Sequence, residues 1–392
     1  PVAGRLQNMN RSAPPLTPEQ FDRAFAEINP PLGAQAALVE ANRCLFCFDA
    51  PCTNACPTHI DVPRFIKKIA TGNLRGSALT ILDSNILGLS CGRVCPVEVL
   101  CEGACVMHRY NKQPIEIGRL QRHAMDHFYS HGARLPVPRV VAGASVACIG
   151  GGPASLACAT ELRRHGVAVT IFERREMAGG LNTYGIAEYK LRPADSLKEV
   201  ELVRSLGVEF RLNAEAGADV SIEELEEQFA VIFIGVGLGP THLLGAPGEN
   251  LLGVVDALRF IAEYKTGAAR VGHRVAVIGA GNTAIDAATA ARRLGAEEVS
   301  IVYRRSEAEM PAFRYEYELA KQDGIRFHWL TLPIGIHGKT AVESLECLRM
   351  ELGAPDASGR RRPQSVPGSN FHLLCDMVIT SIGQSRLVQF LE

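Results

Sequence analysis

The sequence predicts an α/β protein in which a helical, cysteine-rich head precedes two Rossmann-like nucleotide-binding domains. Three observations lead there. Eight of the twelve cysteines fall between Cys44 and Cys105, and two separate glycine-rich stretches each run strand, turn, helix, strand. Between the cysteine groups, apolar residues recur at helical spacing. At 392 residues the chain is also too long for one ordinary core, which suggests two or three domains.

The head comes first. Cys44, Cys47, Cys52 and Cys56 read C-x2-C-x4-C-x3-C-P, and Cys91, Cys95, Cys101 and Cys105 read C-x3-C-P-x4-C-x3-C. Bacterial ferredoxins use C-x2-C-x2-C-x3-C-P, with the fourth cysteine ligating the other cluster when two are present. The first group has two more residues before its third cysteine but keeps the tight opening turn and the Cys-Pro. Zinc is the rival, because C-x2-C also fits one edge of a tetrahedral site. Two Cys-Pro elements and eight thiols favour two iron-sulfur clusters. Between the groups, Phe65, Ile66, Ile69, Leu74, Ala78 and Leu82 suit two short amphipathic helices. His123 and His127 lie four apart on a helical stretch, without the acidic partner of the metalloprotease pattern.

"ASVACIGGGPASLACATELRRHGVAVTIFERR" is the first dinucleotide motif. Gly150, Gly152 and Ser155 supply the tight turn, the close backbone approach to a pyrophosphate and the close helix packing. Pro153 and Ala154 open the helix whose N-terminus faces the phosphates. Glu173 ends the second strand, where a carboxylate hydrogen-bonds an adenosine ribose. "AGGLNTYGI" adds Gly180 and Leu181 for close approach of a flavin, with Lys190 a further cofactor contact.

The second motif, "HRVAVIGAGNTAIDAATAARRLGAEEVSIVYRR", places Gly279, Ala280, Gly281, Asn282 and Thr283 in its turn, with Ala284 the small third residue. Where the first motif carries Glu173, this one carries Arg304 and Arg305, and arginine there accommodates a 2'-phosphate. The reading is NADP(H), with NAD(H) as the alternative. Strand-to-glycine turns at Gly235 and Gly237, and at Ile382 and Gly383, mark crossings between a flavin domain and an inserted nicotinamide domain. The expected organisation is a helical iron-sulfur domain over 1–140, the first part of an FAD domain over 141–250, an NAD(P)H domain over 251–372, and a return to the FAD domain over 373–392. Cys148, Cys158, Cys347 and Cys375 read as buried small side chains.

The composition is that of a globular protein: 47% hydrophobic, 21% charged, formal net charge -1. That balance gives no general pull toward nucleic acid or an anionic membrane, and the basic run Arg360–Arg362 sits among Gly, Ser and Pro, as in a solvated loop. No apolar run approaches the roughly 20 residues of a membrane span, and the N-terminus has no signal-like core. The expectation is a cytoplasmic protein, whose clustered cysteines are metal ligands rather than disulfides. The first residue is not Met, which suggests that a few residues precede it.

The stretches "RCLFCFDAPCTNACPTHID", "NILGLSCGRVCPVEVLCEGAC", "IEIGRLQR" and "GGGPASLACA" resemble the flavin and iron-sulfur half of dihydropyrimidine dehydrogenase, in its bacterial two-subunit form. The small subunit of glutamate synthase is similar in architecture, and "YRRSEAEMP" and "GAPDASGRRR" look equally at home there. The resemblance implies one [4Fe-4S] cluster on Cys44, Cys47, Cys52 and Cys105. It implies a second on Cys56, Cys95, Cys101 and the side-chain oxygen of Gln121, with Cys91 left beside it; spacing alone leaves Cys91 as good a ligand as Gln121. It further implies hydride transfer from NAD(P)H to FAD, then single electrons through the clusters to an FMN- and ferredoxin-domain partner that reduces uracil or thymine. In the alternative the partner is a glutamine amidotransferase. Either way the chain works in a hetero-oligomer, and no acid-base catalytic residue is expected in it. These families carry a later Gly-Asp motif that helps bind FAD, so the sequence is expected to be truncated. Bacterial pyrimidine enzymes of this type often use NADH, against which Arg304 and Arg305 argue.

Overall fold

The computed structural model describes residues 13–132, 134–141, 143, 145–355 and 361–387; Arg360 of the basic run and the last five residues of the expected flavin return lie outside them. The chain divides into two compact units. One comprises Glu27–Thr183 with Glu188–Gly237, and the other Tyr184–Ala187 with the chain from Leu238 onward and the segment before Glu27. Among the described residues no helix is long and apolar enough to cross a membrane.

The chain opens with α1 (Pro18–Ala24), closed by a Thr17/Gln20 capping box. The first unit then builds α2 (Ala34–Asn42), α3 (Pro51–Asn54), α4 (Val62–Ala70), α5 (Leu74–Ser84), α6 (Gly88–Val94) and α7 (Ile117–Ser130). Asp61 starts α4 by accepting from the Arg64 N–H at 3.1 Å, and Asn73 starts α5 by accepting from Gly76 at 2.8 Å. The helical periodicity read from the sequence is met: Phe65, Ile66, Ile69, Ala78 and Leu82 are buried, with Leu74 packed against them. They meet Leu89 of α6 and Leu120, Ala124, Met125 and Phe128 of α7.

The same unit continues into a four-stranded parallel sheet of β1 (Ser145–Ile149), β2 (Ala168–Glu173), β3 (Glu209–Leu212) and β4 (Val231–Ile234), in the order β3-β2-β1-β4. Its helices are α8 (Pro153–Arg164), the short turn α9 (Leu181–Tyr184), α10 (Pro193–Ser205) and α11 (Ile222–Gln228). One apolar core runs from the head helices through Val146, Leu156, Ile171 and Val203. The boundary read from sequence at residue 140 falls between the head helices and β1, and the two parts share one packed unit.

The second unit is built on β5 (Val254–Asp256), β6 (Arg274–Ile278), β7 (Glu298–Val302) and β8 (Arg326–His328), with helices α12 (Ala257–Lys265), α13 (Asn282–Arg293) and α14 (Arg314–Gln322). It also holds an antiparallel sheet in which the long β10 (Ser344–Pro355) pairs β9 (Thr331–His337) along one edge and β12 (Phe371–Leu374), then β11 (Arg361–Ser365), along the other. The last strand, β13 (Met377–Thr380), does not leave for the flavin-side sheet as the sequence suggested. It lies between β5 and β6 in a parallel sheet of order β5-β13-β6-β7-β8. The physical reason is visible in its residues: Met377, Val378 and Ile379 are fully buried, as a central parallel strand demands.

Gly279 ends β6 with φ +123°, and a Cβ there would stand 2.1 Å from the Ser381 carbonyl oxygen at the end of β13. Gly279→Ala should therefore destabilise the protein by about 1–3 kcal/mol through the backbone conformation alone, more with the clash. Thermal unfolding of purified variant and parent checks this; equal midpoints would refute it.

Candidate functional site

The head gathers its eight thiols around two small cavities. Cys44, Cys47, Cys52 and Cys105 line one, against Val62, Ile66, Met107 and Ile115. Cys56, Cys91, Cys95 and Cys101 line the other together with Gln121. The grouping that the resemblance implied is thus the grouping in space, with Cys91 and Gln121 both at the second cavity. The two extra residues of the first motif have a structural use. Ala50 takes a left-handed conformation (φ 32°) and Pro51 opens α3, so the chain turns sharply before Cys52. Phe46 (φ 51°) and His59 (φ 53°) are further left-handed residues in this loop, a strain that tight wrapping accounts for.

Among the described residues no three His, Cys, Asp or Glu side chains converge to hold a single metal ion. Four thiols ringing each cavity suit the four irons of a [4Fe-4S] cluster, each of which takes one protein ligand. Burial pushes the Cys52 thiol up to about 11 and Cys101 up to about 12. Cys91 is raised first by the hydrogen bond it shares with Cys95 and then by burial, and the same bond lowers Cys95. Ionising such thiols requires a cation in the cavity. Gln121 is buried, and its Nε2 donates to the Gly88 carbonyl at 2.8 Å.

Sequence reasoning missed Glu199. This α10 carboxylate, 1% exposed, accepts from the Leu89 N–H at 2.8 Å and the Ser90 N–H at 2.9 Å, and from the Ser90 hydroxyl, at the start of α6. It thereby ties the nucleotide-binding half of the unit to the helix that carries Cys91 and ends at Cys95. No local motif announces it, since its partners lie about 110 residues earlier in the chain. His123 and His127 do not join the cysteines: His123 Nδ1 lies 3.2 Å from the Leu32 carbonyl, and His127 stacks on His131.

The first glycine loop is held by the acid at the end of β2. Glu173 accepts from the Gly151 N–H at 2.7 Å and the Arg175 N–H at 2.9 Å. Gly150 (φ +92°) clears the Gly235 carbonyl, which a Cβ would approach to 2.6 Å. Gly180 also packs backbone to backbone: a Cβ there would stand 2.8 Å from Gly152 Cα. Pro153, Ala154 and Ser155 form the first turn of α8, Ser155 fully buried. Leu181 is exposed, and Lys190 lies over the Tyr189 ring at 5.9 Å.

In the other unit a cavity of about 750 Å³ is lined by Gly279, Ala280, Gly281, Thr283, Arg304, Ile382 and Gly383. Gly281 faces open space, so a phosphate can reach the N-terminus of α13. Asn282 is occupied locally, accepting from the Phe313 N–H at 2.9 Å. Arg304 is exposed at the cavity, whereas the Nε of Arg305 is buried without a partner. Ile382 and Gly383, expected at the flavin, line this cavity because β13 belongs to this sheet.

Comparison with known proteins agrees with this geometry. Residues 144–391, more than half of the chain, match the pyridine nucleotide-disulphide oxidoreductase family. The chain belongs to that family. Residues 21–133 match the 4Fe-4S domain described as domain II of dihydropyrimidine dehydrogenase. The glutamate synthase [NADPH] small chain of Escherichia coli is 36% identical, over 96% of this chain and 83% of that one. The NADPH-Fe(3+) oxidoreductase subunit beta of Geobacter sulfurreducens is 38% identical, over 88% of this chain and 52% of that one. Across such relatives the chain spans from about half to 85% of their length. FprA of Mycobacterium tuberculosis, solved with NADPH, shares the fold at TM-score 0.53 and 24% identity, over 62% of this chain and 71% of that one. The iron-sulfur, flavin and nicotinamide cofactors expected from the sequence are those of such oxidoreductases. The dihydropyrimidine dehydrogenase resemblance holds for the head, while relatives matched along nearly the whole chain include glutamate synthase small chains.

Burial pushes the Glu199 carboxyl up to about 7. A folded-state pKa above the ordinary 4.5 means that between these values the unfolded chain ionises while the folded one stays protonated, so stability falls as pH rises through this window. Glu199→Gln should remove that loss, gaining up to about 3 kcal/mol relative to the parent at pH 8 compared with pH 4.5. Unfolding midpoints of both proteins across this range test it; a constant difference would refute the assignment.

Proposed function

We propose that this chain is the NADPH-oxidising, electron-delivering subunit of a larger oxidoreductase. When bound, the flavin accepts the hydride of NADPH and two [4Fe-4S] clusters pass the electrons on singly to a partner subunit. Two observations carry the reading: the pair of thiol-lined cavities that share one core with the elements flanking the first glycine loop, and, in the other unit, a second dinucleotide motif whose second strand is followed by arginine rather than glutamate.

The residues have distinct tasks. Cys44, Cys47, Cys52 and Cys105 hold one cluster. Cys56, Cys95 and Cys101 hold the other with Gln121, whose amide is oriented by its bond to the Gly88 carbonyl so that Oε1 is the donor to iron. Glu173 orients the flavin's adenosine by accepting from its ribose while pinning Gly151. Gly281 admits the NADPH pyrophosphate to the α13 N-terminus, and Arg304 pairs with the 2'-phosphate. No side chain here is needed as an acid or base.

For the terminal reaction the glutamate synthase small-chain reading is the better supported, since such chains match over most of both lengths. The partner would then be a glutamine-cleaving amidotransferase. Pyrimidine reduction through an FMN partner is the second reading, favoured by the match of the head and by "LGLSCG". Anaerobic co-purification with the native partner decides between them. NADPH oxidation dependent on glutamine with 2-oxoglutarate supports the first, uracil-dependent oxidation replaces it with the second, and NADPH oxidation with neither substrate nor an artificial acceptor would sink the input-subunit reading itself.

Two variants test the residue assignments. Arg304→Ala should raise KM for NADPH about 10- to 100-fold, the size of one lost charged hydrogen bond, and leave NADH turnover of an artificial acceptor unchanged; an equal effect on both would contradict it. Gln121→Ala should lower iron content and alter the electron paramagnetic resonance of one cluster while sparing the other. Unchanged iron and spectra would move the ligand role to Cys91.

A further inference from the structure

We propose that His337, Glu346 and His372 form a binding site for one divalent first-row transition-metal ion, Zn²⁺ in kind, on the exposed face of the antiparallel sheet. Strand register brings them together. Glu346 of β10 stands directly opposite His372 of β12, and His337 of β9 stands opposite Ser344, two residues before Glu346 on the same strand. His337 Nε2 lies 2.8 Å from Glu346 Oε2, and the two imidazole rings are 5.3 Å apart between centroids. The His337 side chain is 50% exposed and that of Glu346 23%, so an ion arriving from solvent meets all three without displacing the core.

The surroundings prepare these side chains as ligands. Gly335, opposite Glu346 on β9, leaves the space between them clear, for a Cβ there would stand 3.1 Å from His337 Nε2 and 3.6 Å from Glu346 Oε2. Asn370 donates to Glu346 Oε1 at 2.7 Å and so holds the carboxylate with Oε2 toward the histidine. Ser344 Oγ lies 3.3 Å from His372 Nδ1, which leaves Nε2 as the free ligand atom. Partners that fix the far side of each ligand are the recurrent support of metal sites. The three side chains do not converge on one point as they stand. An ion would replace the His337–Glu346 hydrogen bond, with the rings turning to bring nitrogen and oxygen to about 2.0–2.2 Å. Two imidazoles and one carboxylate suit zinc, copper or nickel rather than magnesium or calcium, and water would fill the fourth position. Such an ion would join β9, β10 and β12.

The test is a copper titration of the oxidised holoprotein under argon, followed by electron paramagnetic resonance, with zinc as competitor. One site per chain with two nitrogen couplings is expected, with the apparent copper affinity lowered when Zn²⁺ is present in large excess. The His337→Gln/His372→Gln double variant should bind at least 10-fold more weakly and lose those couplings, and Asn370→Ala should weaken binding while keeping them. Unaltered flavin absorbance and unfolding midpoint establish that the variants are folded. Unchanged affinity and nitrogen pattern in the double variant would overturn the proposal. So would loss of the signal on His131→Gln instead, which would move the copper to the stacked His127–His131 pair.

Discussion

The crowding of eight thiols into two small apolar cavities is the constraint around which the first unit is arranged. Burial drives Cys52 and Cys101 toward pKa values of about 11 and 12, so the cavities disfavour the thiolate unless a cation compensates it. The head must therefore do two opposing things: exclude water tightly enough to insulate a redox centre, and present ionised sulfur to it. It meets the first demand with Ile66 and with Val62 and Ile117, which line both cavities, and leaves the second to the cluster. The left-handed residues at Phe46, Ala50 and His59 follow from this, because a loop that turns four sulfurs inward over so few residues has little choice of backbone conformation.

The same constraint explains why head and first sheet share one core. Electron transfer needs fixed geometry, and a head joined only by a linker would not supply it. Glu199 is one physical expression of the joint. Its carboxyl group takes three hydrogen bonds from α6, the helix that carries Cys91 and leads directly into Cys95 on the wall of the second cavity. The arginines nearby reinforce the joint from the other side, with Arg93 bridging Asp126 at 2.6 Å and Asp195 at 3.4 Å. The Arg93–Asp195 pair is nearly buried, and pairs of this kind are costly to break one partner at a time.

The features legible in the sequence were those written in local spacing. The two glycine turns and the acid or arginine at the strand end each depend on residues within about thirty positions, whereas the cysteine intervals showed two dense groups but not that Cys56 and Cys105 exchange cavities between them. What depends on distant partners was not legible. Glu199 meets Ser90 across 109 positions. The place of β13 is set by its pairing with β5 and β6, and the glycine turn after it was read for the wrong sheet because strand-to-glycine turns look alike on any parallel sheet. Gly180 was legible as special, but its close backbone packing on Gly152 was not. Gln121 stood out only through resemblance, because a buried glutamine has no spacing signature. The terminal acceptor is the extreme case: its chemistry is carried by another polypeptide.

The two nucleotide loops make the last point about how little sequence separates two cofactors. Both present a glycine turn and a helix N-terminus to a pyrophosphate, and both place the discriminating side chain at or just beyond the end of the second strand, Glu173 on β2 and Arg304 two residues past β7. A carboxylate there accepts from ribose hydroxyls and repels a 2'-phosphate; a guanidinium does the reverse. On the proposed assignment, the sign of one charge at one topological position would favour a flavin dinucleotide at one loop and NADPH at the other. Glu173 adds a constraint that Arg304 does not share, because both of its oxygens already hold backbone N–H groups of its own loop. Replacing it would loosen the turn as well as the ribose contact, and a substitution there is the less tolerable of the two.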